Sequence, residues 1–158
     1  SSDVCSSDLK HFQLCQPCTQ IIGIMSKTVY KEDLLYPELS YKIIGCAFEV
    51  FNEIGGGHRE RTYQKALSLS FRDAGLSFME QKYFPVKFMG TPVEKGFFYF
   101  FVDEKIIVEI KSLGYFTKDN YEQVLSYLNN SRQKLAILIT FGQHEVRYKR
   151  VVNFNLPV

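Results

Sequence analysis

The chain has 158 residues, 46% hydrophobic and 23% charged, with 19 Lys plus Arg against 17 Asp plus Glu for a net charge of +2. That length suits one domain whose core needs no disulfide or metal staple, and the composition excludes disorder over the bulk of it. The longest apolar run, Phe97–Val102, is far too short for a membrane helix of about 20 residues, and a charge this close to zero makes no case by itself for a nucleic-acid partner.

The amino end differs from the rest. Ser-Ser-Asp occurs twice within residues 1–9, a string that resembles translated sequencing-adaptor read-through. Residues 10–24 lack the basic start and long apolar stretch of a signal peptide. Residues 1–24 are therefore expected to be a non-native or disordered leader, and 25–158 a single domain of charge +3. Cys5, Cys15 and Cys18 fall in the leader and leave Cys46 alone, so no disulfide framework is expected and a reduced, cytoplasmic setting is the default. Cys15-x-x-Cys18 has no second pair to complete a zinc site. The motif His58-Arg59-Glu60 follows those cysteines, whereas in zinc deaminases the H-x-E comes first.

Pro37 suits a first helical turn. Leu39, Ile43, Cys46/Ala47, Val50/Phe51 and Ile54 then recur at helical spacing until Gly55-Gly56-Gly57. A second helix is predicted from about Arg59 to Ala74, with Tyr63, Ala66/Leu67, Ser70/Phe71 and Ala74 inward. Phe78–Phe88 reads as a strand, irregular near Pro85, and Met89-Gly90-Thr91-Pro92 as a turn. Phe97–Val102 reads as a central strand, joined by a tight turn at Asp103-Glu104-Lys105 to a buried strand over Ile106–Lys111. A third helix is expected over Lys118–Asn130, then a buried strand over Leu135–Thr140 and an amphipathic edge strand over Glu145–Val152. This order predicts an α/β sandwich, a mixed β-sheet flanked by helices.

Glu109-Ile110-Lys111 carries the most chemistry. A side-chain period of two sends Glu109 and Lys111 to one face of a buried strand, where a carboxylate and an ammonium are costly unless paired or used. An isolated E-x-K is more often a salt bridge. Two other pairs bear on that reading. Glu60 and Tyr63 share a helix face in Gly57-His58-Arg59-Glu60-Arg61-Thr62-Tyr63, and Gln123 and Tyr127 share another in Gln123-Val124-Leu125-Ser126-Tyr127.

Gly57-x-x-Glu60-x-x-Tyr63, Val108-Glu109-Ile110-Lys111 and Gln123-x-x-x-Tyr127 together resemble the GxxExxY proteins, a branch of the PD-(D/E)xK nuclease superfamily. The resemblance runs from Leu35 to Asn153. It implies a restriction-endonuclease-like fold, hydrolysis of phosphodiesters in DNA or RNA, and magnesium or manganese as cofactor. It would make Glu60 an outer metal or water ligand, Glu109 a direct metal ligand and Lys111 the catalytic lysine. Gln123 and Tyr127 would orient the substrate phosphate or the catalytic face. One position departs from the family: Tyr99 stands where the superfamily's leading metal aspartate belongs. A three-residue loop at Asp103–Lys105 would set Tyr99 opposite Glu109 and a two-residue loop would set Phe98 there; either way no carboxylate falls on that strand, and Asp103 lies four residues, roughly 13 Å, too far along it to substitute.

Three functions stay open on these residues: a nuclease impaired at Tyr99, a binding module that kept the fold without the chemistry, and an interaction domain with no nucleic acid. Lys118, Arg132, Lys134, Arg147, Lys149 and Arg150 are candidates for a phosphate track, although such charges are more often a solvated face.

Overall fold

The computed structural model describes residues 35–156, so the leader expected over 1–24 lies outside the described residues. Pro37 opens α1 (Pro37–Ile54), and the N–H of Gly55 closes it onto the Phe51 carbonyl. Ile43, Ile44, Cys46, Ala47 and Val50 form its buried stripe. In α2 (Glu60–Asp73) the first turn carries Glu60 and the last carries Arg72, charges that suit the two ends of the helix dipole. Tyr63, Leu67 and Phe71 face inward, whereas Ala74, expected on that stripe, lies past the helix end and is exposed. No helix among the described residues is long and apolar enough to cross a membrane.

Five strands follow the chain across one sheet: β1 (Phe78–Phe88), β2 (Thr91–Val102), β3 (Ile106–Lys111), β4 (Leu135–Phe141) and β5 (Val146–Val152). Only β3 and β4 run parallel; the other neighbours are antiparallel. A parallel pair needs a crossover, and α3 (Lys118–Ser131) supplies it. That helix starts on a reciprocal cap: Thr117 Oγ1 accepts from Asn120 N–H at 3.2 Å, and Asn120 Oδ1 accepts from Thr117 N–H at 3.0 Å.

The core lies in two layers. α1 and α2 pack on one face against Phe100, Val102, Val108, Ile110, Ile137 and Ile139. α3 packs on the other through Val124 and Leu128, against Phe98, Phe101, Ile107 and Leu138. The fold is an α/β sandwich with a mixed sheet between helices.

The β1–β2 hairpin departs from the sequence reading in two ways. Its turn needs only Met89 and Gly90, both at positive φ (+49° and +81°), the geometry of a tight hairpin. Thr91 and Pro92 are therefore already in β2, six residues before the predicted start. Pro92 is tolerated because β3 pairs with β2 only over Phe100, Phe101 and Val102, which leaves residues 82–98 as a two-stranded arm with free edges.

The second departure is a reversal of faces. Phe98 and Phe101 pack toward α3, while Tyr99 and Phe100 both pack toward α1 and α2. Opposite them, Gln81 adopts φ +49° and is the gap in the β1–β2 ladder, between Glu80↔Phe100 and Lys82↔Phe98. Both strands turn over together at this point. The irregularity expected at Pro85 is found one step on, as a bulge between Val86 and Lys87.

Packing of the arm depends on Gly96. A Cβ there would lie 2.1 Å from Cζ of Phe84, whose ring stacks on Phe98 at 4.4 Å between centroids. Gly96→Val should destabilise the protein by about 1–3 kcal/mol through displacement of that ring. Gly45→Ala, in the middle of α1 with nothing within 4 Å of the new methyl, should stabilise it by about 0.5–1 kcal/mol. Urea unfolding of the two variants beside the parent measures both effects.

Candidate functional site

Glu60 owes its position to the loop between α1 and α2. Gly56 approaches the β4–β5 turn so closely that a Cβ would lie 2.1 Å from the Gln143 carbonyl oxygen, and Gly57 takes φ +82°. Tyr63, fully buried, pins this loop from below. Its hydroxyl donates to the Gly55 carbonyl at 3.0 Å and accepts from the His58 N–H at 3.3 Å. Its ring stacks on Phe141 at 4.1 Å. The glycine and tyrosine of the signature are thus scaffold for the carboxylate between them.

Both oxygens of Glu60 are engaged. Oε1 accepts from the Ser112 N–H at 3.3 Å, just past the end of β3, and Oε2 accepts from the Tyr99 hydroxyl at 2.6 Å. The β2–β3 loop is Asp103-Glu104-Lys105, and the Phe100↔Val108 register puts the Tyr99 backbone opposite Glu109. The tyrosine side chain, however, goes to Glu60, because β2 turns over at this residue. Burial, then the bond to Glu60, push the Tyr99 phenol well above its usual range, so it stays a neutral donor.

On the α3 face the polar groups form one chain. Lys111 Nζ donates to Glu109 Oε1 at 3.0 Å and to Gln123 Oε1 at 3.1 Å, and Gln123 Nε2 donates to the Tyr127 hydroxyl at 2.7 Å. Tyr127 in turn sets its ring against Phe84 and Phe98. Glu109 is 2% exposed, and its Oε2 has no hydrogen-bond partner among the described residues. Burial raises its pKa to about 7 against the opposing pull of Lys111, with the Glu60 charge adding to the rise. Glu60 and Glu109 therefore belong to opposite faces of the sheet and approach each other at the carboxyl end of β3.

Sequence reasoning missed Thr140. It pairs with Lys111 across β3 and β4, is fully buried, and its hydroxyl has no partner among the described residues. The signal was available: it is the lone polar residue in Leu135-Ala-Ile-Leu-Ile-Thr-Phe141. The six cations considered for a phosphate track do not all share one face, and three of them have partners within the chain. Lys118 pairs with Glu122, Arg147 with Glu145, and Arg150 donates to the Leu35 carbonyl. Alternation along β5 also sends Arg147 and Lys149 to the face opposite Arg150.

The donor set does not fit a resident divalent ion. Among the described residues no three His, Cys, Asp or Glu side chains are grouped to hold one. With Glu60 doubly bonded and Lys111 on Glu109 Oε1, Glu109 Oε2 is the one oxygen of these two carboxylates left unengaged, whereas magnesium takes oxygen ligands in a near-octahedral array.

A model of the PD-(D/E)XK nuclease superfamily matches residues 37–151 of the chain. No curated protein matches it. The crystal structure of SSO0001 aligns at 14% identity with a TM-score of 0.48, over 75% of this chain and 57% of that one, so the present chain spans little more than half of that protein's length.

The position of Glu109 has a consequence for stability. A carboxyl group near 7 in the fold and near 4.5 unfolded binds more protons when folded, so stability falls as pH rises between those values. Below about 4.5 the penalty is absent, and above about 7 it is complete, on the order of a few kcal/mol. Relative to the parent, Glu109→Gln should gain stability progressively across that window and level off above it. Melting curves of both proteins from pH 4 to 9 read this slope, independently of any constant offset from leaving Lys111 without its carboxylate.

Proposed function

Because the chain belongs to the PD-(D/E)XK nuclease superfamily, we propose that it is a nuclease-like, nucleic-acid-binding domain of the GxxExxY type whose phosphodiester hydrolysis is impaired. Its partner is then DNA or RNA, and a cytoplasmic setting belongs to the same proposal. The observation that carries this reading is the 2.6 Å bond from Tyr99 to Glu60. A neutral phenol stands where the superfamily's leading aspartate belongs, and it also occupies the one oxygen of Glu60 that the Ser112 amide leaves open.

Enzymes of this superfamily generally use divalent metals, which gather charge at the scissile phosphate and activate water. The residues of this chain are arranged for holding rather than for that chemistry. Lys111 is shared between Glu109 and Gln123, so its ammonium is spent on fixing the face of β3 against α3. Gln123 and Tyr127 extend the same chain of donors and acceptors, and their outer atoms can meet a phosphate without any change at Glu109. An inactive module that retains binding is the second reading, favoured by the 3.0 Å pairing of Lys111 with Glu109.

Tyr99→Asp tests the proposal. It frees Glu60 and puts a further carboxylate on the strand opposite Glu109. The parent should show no magnesium- or manganese-dependent cleavage of labelled single- or double-stranded DNA or RNA. Tyr99→Asp should create cleavage or raise it by about 10²-fold or more, and adding Glu109→Ala should abolish that gain. Robust cleavage by the parent, lost in Glu109→Ala, overturns the impairment.

A further inference from the structure

We propose that the groove between the β1–β2 arm and the carboxyl end of α3 seats a single strand of nucleic acid. This rests on the nucleic-acid reading above and adds to it a second contact surface and the strandedness of the ligand.

The groove encloses about 460 Å³ and is lined by the arm on one side and by residues 130–133 on the other. Three cations, Lys82, Lys87 and Arg132, stand on its walls, and no carboxylate lines it. All three are exposed, and none has an ion-pair partner among the described residues. In a chain of net charge +2, this is a local surplus that complements a polyanion. Arg132 ends α3 in the left-handed conformation at φ +55°, a position that glycine or asparagine fills with less strain.

Phe84, Phe98 and Phe101 close the floor from within the core, each at most 8% exposed, and Tyr83, 46% exposed, is the aromatic ring of the lining that a ligand can reach. A duplex stacks its base faces inside and offers such a surface only phosphate. A single strand offers phosphates to the cations and a base to the exposed ring of Tyr83. The floor also backs onto the candidate site through the core. Phe84 and Phe98 touch Tyr127, with ring centroids at 5.0 and 5.8 Å. From there Gln123 and Lys111 lead to Glu109.

The test is fluorescence anisotropy of the full chain with labelled oligo(dT), oligo(U) and a matched DNA duplex across a salt series. The variants are Lys82→Glu/Lys87→Glu/Arg132→Glu, the milder Lys82→Gln/Lys87→Gln/Arg132→Gln, and Lys42→Glu/Lys65→Glu on the α1 and α2 side as a control for charge alone. The parent should bind single strands more tightly than duplex. Both groove variants should weaken single-strand binding by roughly tenfold or more and flatten the slope of log K against log salt by about 2, at about 0.7 per lost phosphate contact. The control should keep the parent's slope. Three results overturn the proposal. If the parent binds and both groove variants keep its affinity and slope, the groove is wrong while the nucleic-acid reading stands. Preference for duplex overturns the strandedness. Absence of salt-dependent binding by the parent removes the nucleic-acid reading itself and leaves a protein partner for this surface.

Discussion

A carboxylate at 2% exposure in the middle of a sheet is the constraint around which the rest of this molecule is arranged. Glu109 lies on β3, which is wholly buried but for its last residue, Lys111. Removing an ion of that kind from water costs several kcal/mol, and one lysine 3.0 Å away offsets only part of it. Burial wins: the carboxyl stays near neutrality in its pKa instead of falling below the usual range. Everything polar on this face follows from managing that charge. Lys111 must remain where it is, so Gln123 holds it from α3, and Tyr127 holds Gln123. The helix is fixed to the sheet by a polar chain as well as by Val124 and Leu128.

The second constraint is mechanical. A flat, regular β2 would send Tyr99 to the Glu109 face, since the register sets the two residues opposite each other. Because β1 and β2 turn over at Gln81 and Tyr99, the phenol emerges on the other side and meets Glu60. The same reversal sends Phe84 and Phe98 toward α3, where they support Tyr127. One local rotation therefore separates the two carboxylates' side-chain partners: Glu60 meets Tyr99 from β2, and Glu109 meets Lys111. Beyond Glu109 Oε2, a divalent cation would have to undo one of these arrangements to gain a further carboxylate ligand.

Much of this was legible from residue types alone. Helical spacing from Leu39 to Ile54 and the glycines after it located α1. Two features of Ile106–Lys111, its apolar run and its E-x-K, identified a buried strand with polar groups on one side. The arm was not legible, because Thr91–Lys95 are all exposed and so show no alternation that marks a strand. Nor was the partner of Tyr99. Period-two reasoning assumes a continuous pleat, and nothing about Gln81 announces a left-handed backbone. The Ser112 amide that holds Glu60 is equally invisible, since a backbone N–H has no residue type. Thr140 could have been found, because a hydroxyl in an otherwise apolar buried strand needs a partner or a reason.

The signature motif divides between architecture and chemistry in a way that bears on what its presence means. Gly57 permits the left-handed turn, and Tyr63 pins the loop through its hydroxyl and stacks on Phe141. Together they fix where α2 begins, and with it the position of Glu60. None of those contacts depends on what faces Glu60 across the site. A chain can therefore satisfy Gly-x-x-Glu-x-x-Tyr in full while its carboxylate is capped by a phenol, because the motif specifies the placement of one group and not the company it keeps. Whether such a site performs chemistry is decided instead on β2, by the residue that the strand's rotation turns toward Glu60. In this chain that residue is an uncharged donor, and a donor on a carboxylate oxygen competes directly with a cation for the same lone pair.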